Sequence, residues 1–372
     1  MTCRACGSLR LEQVLDVGAV AAADHFPRAD TPVTQSETGH PLSMALCRLC
    51  SLAQLVDDDT TADEPRGVEP QALRDQAAAA LADAEKAGLL VGTTAAEFGS
   101  PHGGTWLPLL TDLGLRTRRP DAGPSDVVLD CFGMMHEPDQ AAAAAQRARA
   151  TARDGVLLFQ FHSVAAIVEQ GQWNALRHGH FAYYSLAALQ SLFAAVGMTI
   201  TSAWTYDLYG GTVMLAIRHG DHPVDPSVGA VMDAENRAGV TDPQRVGTLQ
   251  AAAQDQWTAL REWLTDAAAD GGRVYAYAAA SRAVALFAGA HITKDLLAGV
   301  ADASPAKWGL RMPGTDIPII DPDSLVEARP TAVLVTVPDL VAELRRDFPS
   351  LADVLVTEPP SKVSGSNQGG TP

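Results

Sequence analysis

The stretch Gln172–Leu186 reads Gln-Trp-Asn-Ala-Leu-Arg-His-Gly-His-Phe-Ala-Tyr-Tyr-Ser-Leu and holds two of the chain's ten histidines. Imidazole titrates near neutrality, so His178 and His180 are the side chains best suited to moving a proton. Gly179 between them marks a loop. Ser185 reads as a helix N-cap ahead of Leu189, Leu192, Phe193 and Val196, which follow at helical spacing. The two imidazoles are therefore expected just before a helix, where a loop side chain can face a pocket. The plainer alternative is a loop whose aromatics cap a core and whose histidines are only solvated.

A second kind of chemistry sits at the start of the chain. Cys3-Arg-Ala-Cys6 and Cys47-Arg-Leu-Cys50 are two Cys-x-x-Cys knuckles, and they take four of the five cysteines. Each knuckle can offer two thiolates to one tetrahedral ion, so together they form a four-cysteine zinc site. Disulfides are the rival, but no thioredoxin-like βαβ pattern surrounds either pair. With every position filled by sulfur the zinc is structural, and it would hold together a segment too small and polar to fold alone. The fifth cysteine, Cys131, ends a predicted strand at the edge where α/β folds bind ligands, though an inert buried thiol is the simpler reading.

Composition narrows the function. The formal net charge of −17 argues against nucleic acid as the main partner, since phosphate binding needs a basic footprint. The amino terminus has no apolar signal segment, and no window approaches a membrane span. The expectation is a soluble, cytoplasmic bacterial protein. With 372 residues, 47% of them hydrophobic, the chain can bury two or three cores.

These residues need elements to position them. An acidic run from Asp57 to Pro65 reads as a solvated connection, and residues 70–87 as an Ala-rich helix. An apolar approach, Thr94–Phe98, leads into the Gly-rich turn Gly99–Gly104 and an apolar helical pattern. A turn of that kind lets backbone approach a ligand. Strand Asp126–Asp130, helix Gln140–Arg153 and strand Val156–Phe161 form a βαβ unit. Thr199–Tyr206 and Val213–Ile217 flank Asp207–Gly211 as a hairpin. After a polar stretch, residues 244–269 form one long periodic helix. A second α/β unit follows, with strands at Val274–Ala278, Gly299–Asp302, Ile317–Ile319, Ala332–Val337 and Leu355–Thr357 and a helix over Ser281–Ala288. Its first turn, Tyr277-Ala-Ala-Ala-Ser281, lacks the glycines of a dinucleotide site. The tail Pro359–Pro372 is polar and expected to be disordered.

In this order the motifs resemble the C-methyltransferases that act on nucleotide-linked 4-ketosugars. The resemblance implies an α/β fold in three parts. These are a zinc-binding domain (1–65), a class I methyltransferase-like, Rossmann-like domain (66–222) and a C-terminal Rossmann-like domain with its linker helix (223–358); the tail is 359–372. Cys3, Cys6, Cys47 and Cys50 match the family's zinc ligands. Glu97-Phe-Gly99-Ser100 with Gly103-Gly104 is similar to its cofactor loop for S-adenosylmethionine (SAM), with Cys131 and His136 of Met135-His-Glu-Pro-Asp139 beside it. His178-Gly-His180-Phe-Ala-Tyr183-Tyr-Ser-Leu resembles its catalytic segment, which places His180 as the base and His178, Arg177 and Tyr183 around it. Tyr209-Gly-Gly-Thr212 and Asp302-Ala-Ser-Pro-Ala-Lys307…Pro313-Gly-Thr-Asp-Ile-Pro318 also resemble family turns.

The implied reaction is enolate formation beside a ketone, followed by attack of that carbon on the sulfonium methyl, with His180 taking the proton. Three departures stand out. The family's Glu between the histidines is Gly179. Arg177 replaces an aromatic and brings a fixed positive charge, suited to an enolate, a carboxylate or a phosphate. Only twenty-one residues separate Gly104 from Asp126, too few for the usual helices, second strand and third strand, so the ribose contact is missing from the expected place. Two rival readings follow. One is an enolisation enzyme, an epimerase or lyase, on a degenerate methyltransferase scaffold. The other is a non-catalytic zinc-containing binding partner.

Overall fold

Two strands, β1 (Leu11–Val20) and β2 (His40–Cys47), pair antiparallel with Leu11 opposite Cys47 and Val20 opposite His40, and the register shifts twice along β1. The computed structural model that shows this describes residues 1–60, 68–100 and 104–359. β3 (Ala53–Leu55) pairs with β2 and returns the chain toward the first knuckle. The acidic run is not simply solvated, because the Asp58 carboxylate accepts from the Gly179 backbone and the Asp59 carboxylate contacts His40. Residues 61–67 lie outside the described residues, as does the tail from 360.

The middle region supplies α1 (Gln71–Lys86), β4 (Thr94–Phe98), α2 (Leu107–Asp112), β5 (Arg116–Arg118) and β6 (Ser125–Cys131). It continues with α3 (Gln140–Ala150), β7 (Thr151–His162), α4 (Val164–Glu169), β8 (Ala182–Tyr183), α5 (Leu186–Ala194), β9 (Met198–Tyr206) and β10 (Thr212–His219). Six of these strands form one sheet in the order β5-β4-β6-β7-β10-β9. The first four run parallel, and β10 lies antiparallel to both β7 and β9. The chain leaves β4 in one direction for β5 and crosses back to β6, so the order reverses between β4 and β6. That reversal is where α/β sheets open a crevice at their carboxyl ends. The abbreviated stretch contributes only a short helix and a three-residue strand outside β4.

Sheet pairing also decides where α3 stops. The expected helix extends to Arg153, but Thr151 turns extended and pairs with Ser125 as β7 begins. Strand β8 leaves this sheet altogether. It pairs with β3 and completes the N-terminal sheet, β1-β2-β3-β8, so the histidine loop is anchored between the two.

After β10 come α6 (Pro226–Ala238), α7 (Pro243–Val246) and α8 (Thr248–Ala269), then β11 (Val274–Tyr277), α9 (Arg282–Gly289), β12 (Val300–Ala301) and β13 (Ile319–Ile320). The last elements are α10 (Pro322–Glu327), β14 (Ala332–Val335), α11 (Val341–Asp347) and β15 (Leu355–Val356). The predicted helix over 244–269 is thus two helices meeting at Gly247, where a Cβ would stand 2.8 Å from the Pro243 carbonyl. The strand expected at Ile317–Ile319 starts two residues later, with Ile317 buried in the core before it. The C-terminal sheet is all parallel, in the order β13-β12-β11-β14-β15, and reverses between β11 and β14.

One apolar core unites the N-terminal sheet with this last region, taking Leu15, Leu42 and Met44 together with Leu260, Phe287 and Leu334. A buried fork reinforces it. Arg311 donates to both Glu37 oxygens, at 2.6 and 2.7 Å. No described helix is long and apolar enough to cross a membrane.

Candidate active site at the facing sheet edges

The carboxyl ends of the parallel strands of the middle and C-terminal sheets open onto one cavity of about 610 Å³. Phe98, Gly99 and Cys131 line it from the middle sheet, and Tyr277, Ala278 and Ser281 from the C-terminal sheet. Both sheets therefore present their reversal points to the same space, and the histidine loop forms a wall between them.

Local chemistry builds that loop. Ser185 caps α5 by accepting from Ala188 N–H, and the buried Glu235 carboxylate accepts from Leu186 N–H at 2.7 Å. Burial raises the Glu235 acid to about 7. Upstream, Gly179 adopts φ +75°, a left-handed backbone that favours glycine. Its N–H donates to Asp58 at 2.6 Å and its carbonyl accepts from His136 Nδ1 at 3.0 Å. A carbonyl can only accept, so His136 carries its proton on Nδ1. Tyr183 OH accepts from Arg177 N–H at 3.0 Å. Burial raises the Tyr183 phenol, so it stays neutral.

The two histidines face different ways. His180 reaches the cavity, its ring set edge-on against His136 at a centroid distance of 4.5 Å. His178 is buried on the side of the N-terminal sheet, donating to the Pro41 carbonyl at 3.1 Å and packed against His40. Arg177 lies between His180 and the C-terminal sheet. Its Nε is 2.8 Å from His180 Nε2, and its Nη1 donates to Ser281 Oγ.

Of the cofactor-loop residues, Glu97, Gly99, Ser100 and Gly104 line the cavity together with Cys131 and His136, while Gly103 lies outside the described residues. Gly99 faces open space, with nothing within 4 Å of where a Cβ would stand, so a ligand can lie against its backbone. Gly104 has φ +81°, and a Cβ there would meet Glu69 Oε1 at 2.6 Å. Glu97 turns back onto the start of α2, accepting from Trp106 N–H at 2.8 Å and from Thr105 Oγ1. Burial raises both the Glu97 acid and the Cys131 thiol. The methionine end of SAM fits this wall. Among the described residues no acid ends β5, where a ribose would be held: the strand closes on Arg118, and Asp121 beyond it pairs with Arg119 at 2.8 Å.

The four knuckle sulfurs lie within 4.8 Å of one another, with Cys3–Cys50 at 3.5 Å and Cys6–Cys47 at 3.7 Å. A tetrahedron with zinc–sulfur bonds of about 2.3 Å has edges of about 3.8 Å, so the four thiolates fit one zinc ion. Their proton affinities diverge as crowded thiols must: the Cys50 hydrogen bond lowers Cys3 to about 5, and the same bond raises Cys50. Since none of the four cysteines lines the cavity and no position is left open, this centre supports the fold rather than the chemistry.

Sequence reading did not point to Arg282, Ser281 or His162. Arg282 sits over the Tyr209 ring at 5.4 Å, and His162 at the end of β7 packs on the same ring at 6.3 Å. Burial and the nearby Arg282 lower the His162 imidazole to about 3, so it is neutral. The turn after Tyr277 is noticeable in sequence only for its missing glycines.

Comparisons with known proteins agree with this layout. Residues 3–62 match the model described as "Putative zinc binding domain", and residues 207–353 match "C-methyltransferase C-terminal domain". Over 363 residues the chain is 24% identical to the C-methyltransferase NovU of Streptomyces niveus, covering 86% of each chain. Among solved structures, the mitomycin 7-O-methyltransferase MmcR is 16% identical over 40% of this chain and 54% of that one, with a TM-score of 0.33. The magnesium protoporphyrin IX methyltransferase ChlM of Synechocystis PCC 6803, solved with bound SAH, is 12% identical over 41% and 90%, with a TM-score of 0.29. Scores this low carry no argument, and the fold assignment rests on the sheet order.

Proposed function

We propose that this chain, which belongs to the C-methyltransferase family, methylates a carbon next to a ketone in a small molecule, with His180 taking the proton from that carbon. The nucleotide-linked 4-ketosugars are the first substrate class to try. The observation that carries the reading is the position of His180. It is a buried imidazole that opens onto the same cavity as Gly99 and Cys131, at the reversal point of the middle sheet. SAM, when bound, supplies an electrophilic methyl group. The chain's own residues do the rest. Gly99 leaves room for a ligand against the backbone, and His136 and Asp58 fix the loop through Gly179. Arg177 can stabilise the negative charge that forms as His180 removes the proton.

The test is methyl transfer from labelled SAM to a panel of nucleotide-linked 4-ketosugars, alongside solvent deuterium exchange at the acidified carbon. Methylated product from the wild type, absent with His180→Ala, supports the reading. Product unchanged in His180→Ala overturns the role of the base.

A second reading keeps the base and dispenses with the methyl donor. It is favoured by one observation, the absence of a carboxylate at the end of β5 where the ribose would be held. Exchange that needs no SAM and never yields methylated product would support it.

A further inference from the structure

Three features of the cavity meet at one place. First, neither Arg177 nor Arg282 is ion-paired with a carboxylate among the described residues, although the chain as a whole carries a charge of −17. Asp339 acts on Arg282 only through space, and its carboxylate accepts from Tyr209 N–H. Second, the two guanidiniums lie on one wall, Arg177 on Ser281 Oγ and Arg282, the next residue, over Tyr209. Desolvation, and after it the nearby Arg177, depresses Arg282, and two like charges held together in a half-buried wall call for an anion. Third, Arg177 also donates to His180 Nε2 at 2.8 Å. A ring nitrogen has one lone pair, and while it accepts from Arg177 it cannot accept a proton from substrate.

We infer that the substrate carries an oxyanion, a carboxylate or a phosphate, that seats on Arg282, Ser281 and Arg177 and in doing so draws Arg177 off His180. Arg177 latches the base, and the substrate frees it. This rests on His180 being the base and extends that reading to the substrate's charge. Because one side chain spans both Ser281 and His180, the oxyanion lies within a few bonds of the carbon that loses its proton. A guanidinium fork matches a planar carboxylate or a phosphoryl group, whereas a neutral sugar face would leave both charges unmet. Neutral His162 beside Tyr209 adds no competing charge to that wall. The proton movement balances simply: the substrate carbon gives its proton to His180 Nε2, and Arg177, released from that nitrogen, donates to the oxyanion instead.

The experiment needs no SAM and no methyl transfer. Protein with 15N-labelled histidine is titrated with inorganic phosphate in one arm and acetoacetate in the other, and the His180 Nε2 resonance is assigned by its loss in His180→Gln. Either anion should shift that resonance in the wild type, and the arm that succeeds identifies a phosphoryl or a carboxylate partner. Arg282→Gln should weaken binding at least tenfold. In Arg177→Gln the resonance should start near the shifted position and stay there when anion is added. If Arg282→Gln does not fold, Arg282→Lys replaces it, and the wild-type titration still decides the matter. The inference is overturned if neither anion moves the His180 resonance, or if both bind folded Arg282→Gln and wild type equally. Failure of methyl transfer would leave these results standing, so the two readings can fail separately.

Discussion

Arg177 Nε stands 2.8 Å from His180 Nε2, and the same guanidinium holds Ser281 Oγ across the cavity. One side chain thus joins the loop of the middle region to the start of α9 in the C-terminal region. The cavity is closed on that side by a charge, not by apolar packing.

Replacing His180 should stop proton removal without disturbing the rest of the site. His180→Ala is expected to lower solvent exchange and methyl transfer by about 10²- to 10⁴-fold. SAM affinity should stay within about twofold, because the cofactor wall is built from other residues. An equal loss of SAM binding, measured by calorimetry, would show that the histidine is structural.

The knuckles predict one zinc per chain by elemental analysis. Cys47→Ser should leave substoichiometric zinc and lower stability by several kcal/mol, on the order expected when a structural site is lost. Because β2 carries Cys47 at its end and also pairs with both β1 and β3, the loss should extend to the whole N-terminal sheet. A zinc-free protein with an unchanged melting curve would contradict this.

Gly179 is held where another residue is strained. At φ +75°, Gly179→Ala should cost about 1 kcal/mol. Gly179→Glu, which restores the family's residue, should cost more, since its Cβ starts 3.7 Å from the Asp24 carboxylate. Denaturant titration checks both, and a stabilised Gly179→Glu would mean that the loop relaxes to accept it.

Glu235 gives a pH dependence with a definite sign. Burial raises its acid to about 7, so the folded state favours the neutral form. The stability this group contributes is complete below its unfolded value near 4.5 and is lost as pH rises toward about 7. Glu235→Gln keeps a carbonyl acceptor for Leu186 N–H and removes that titration. Relative to wild type, the variant should therefore gain stability between pH 5 and pH 8, by up to about 3 kcal/mol. A difference that stays flat with pH would contradict the assignment.

What the sequence made legible was local or repetitive. The Ser185 cap, the Cys-x-x-Cys knuckles and the β9–β10 hairpin are each defined within a few residues, and their physics is that of short-range spacing. Of the site's charge only Arg177 was legible; its partners were not, because they are assembled over long separations. Ser281 meets Arg177 across 104 positions, and Asp58 meets Gly179 across 121. Nothing in the pattern around Asp57–Asp59 distinguishes a carboxylate bound to a loop backbone from one facing water. The fate of His178 was equally hidden: its neighbour Pro41 belongs to a strand 137 positions away.

The most direct test of methyl transfer is a calorimetric titration with SAM, repeated in the presence of S-adenosylhomocysteine, on wild type and Gly99→Val. One SAM per wild-type chain is predicted, displaced by the competitor and weakened at least tenfold by Gly99→Val with an unchanged melting temperature. No binding by the wild type, or equal binding by folded Gly99→Val, would contradict a cofactor seated on that wall.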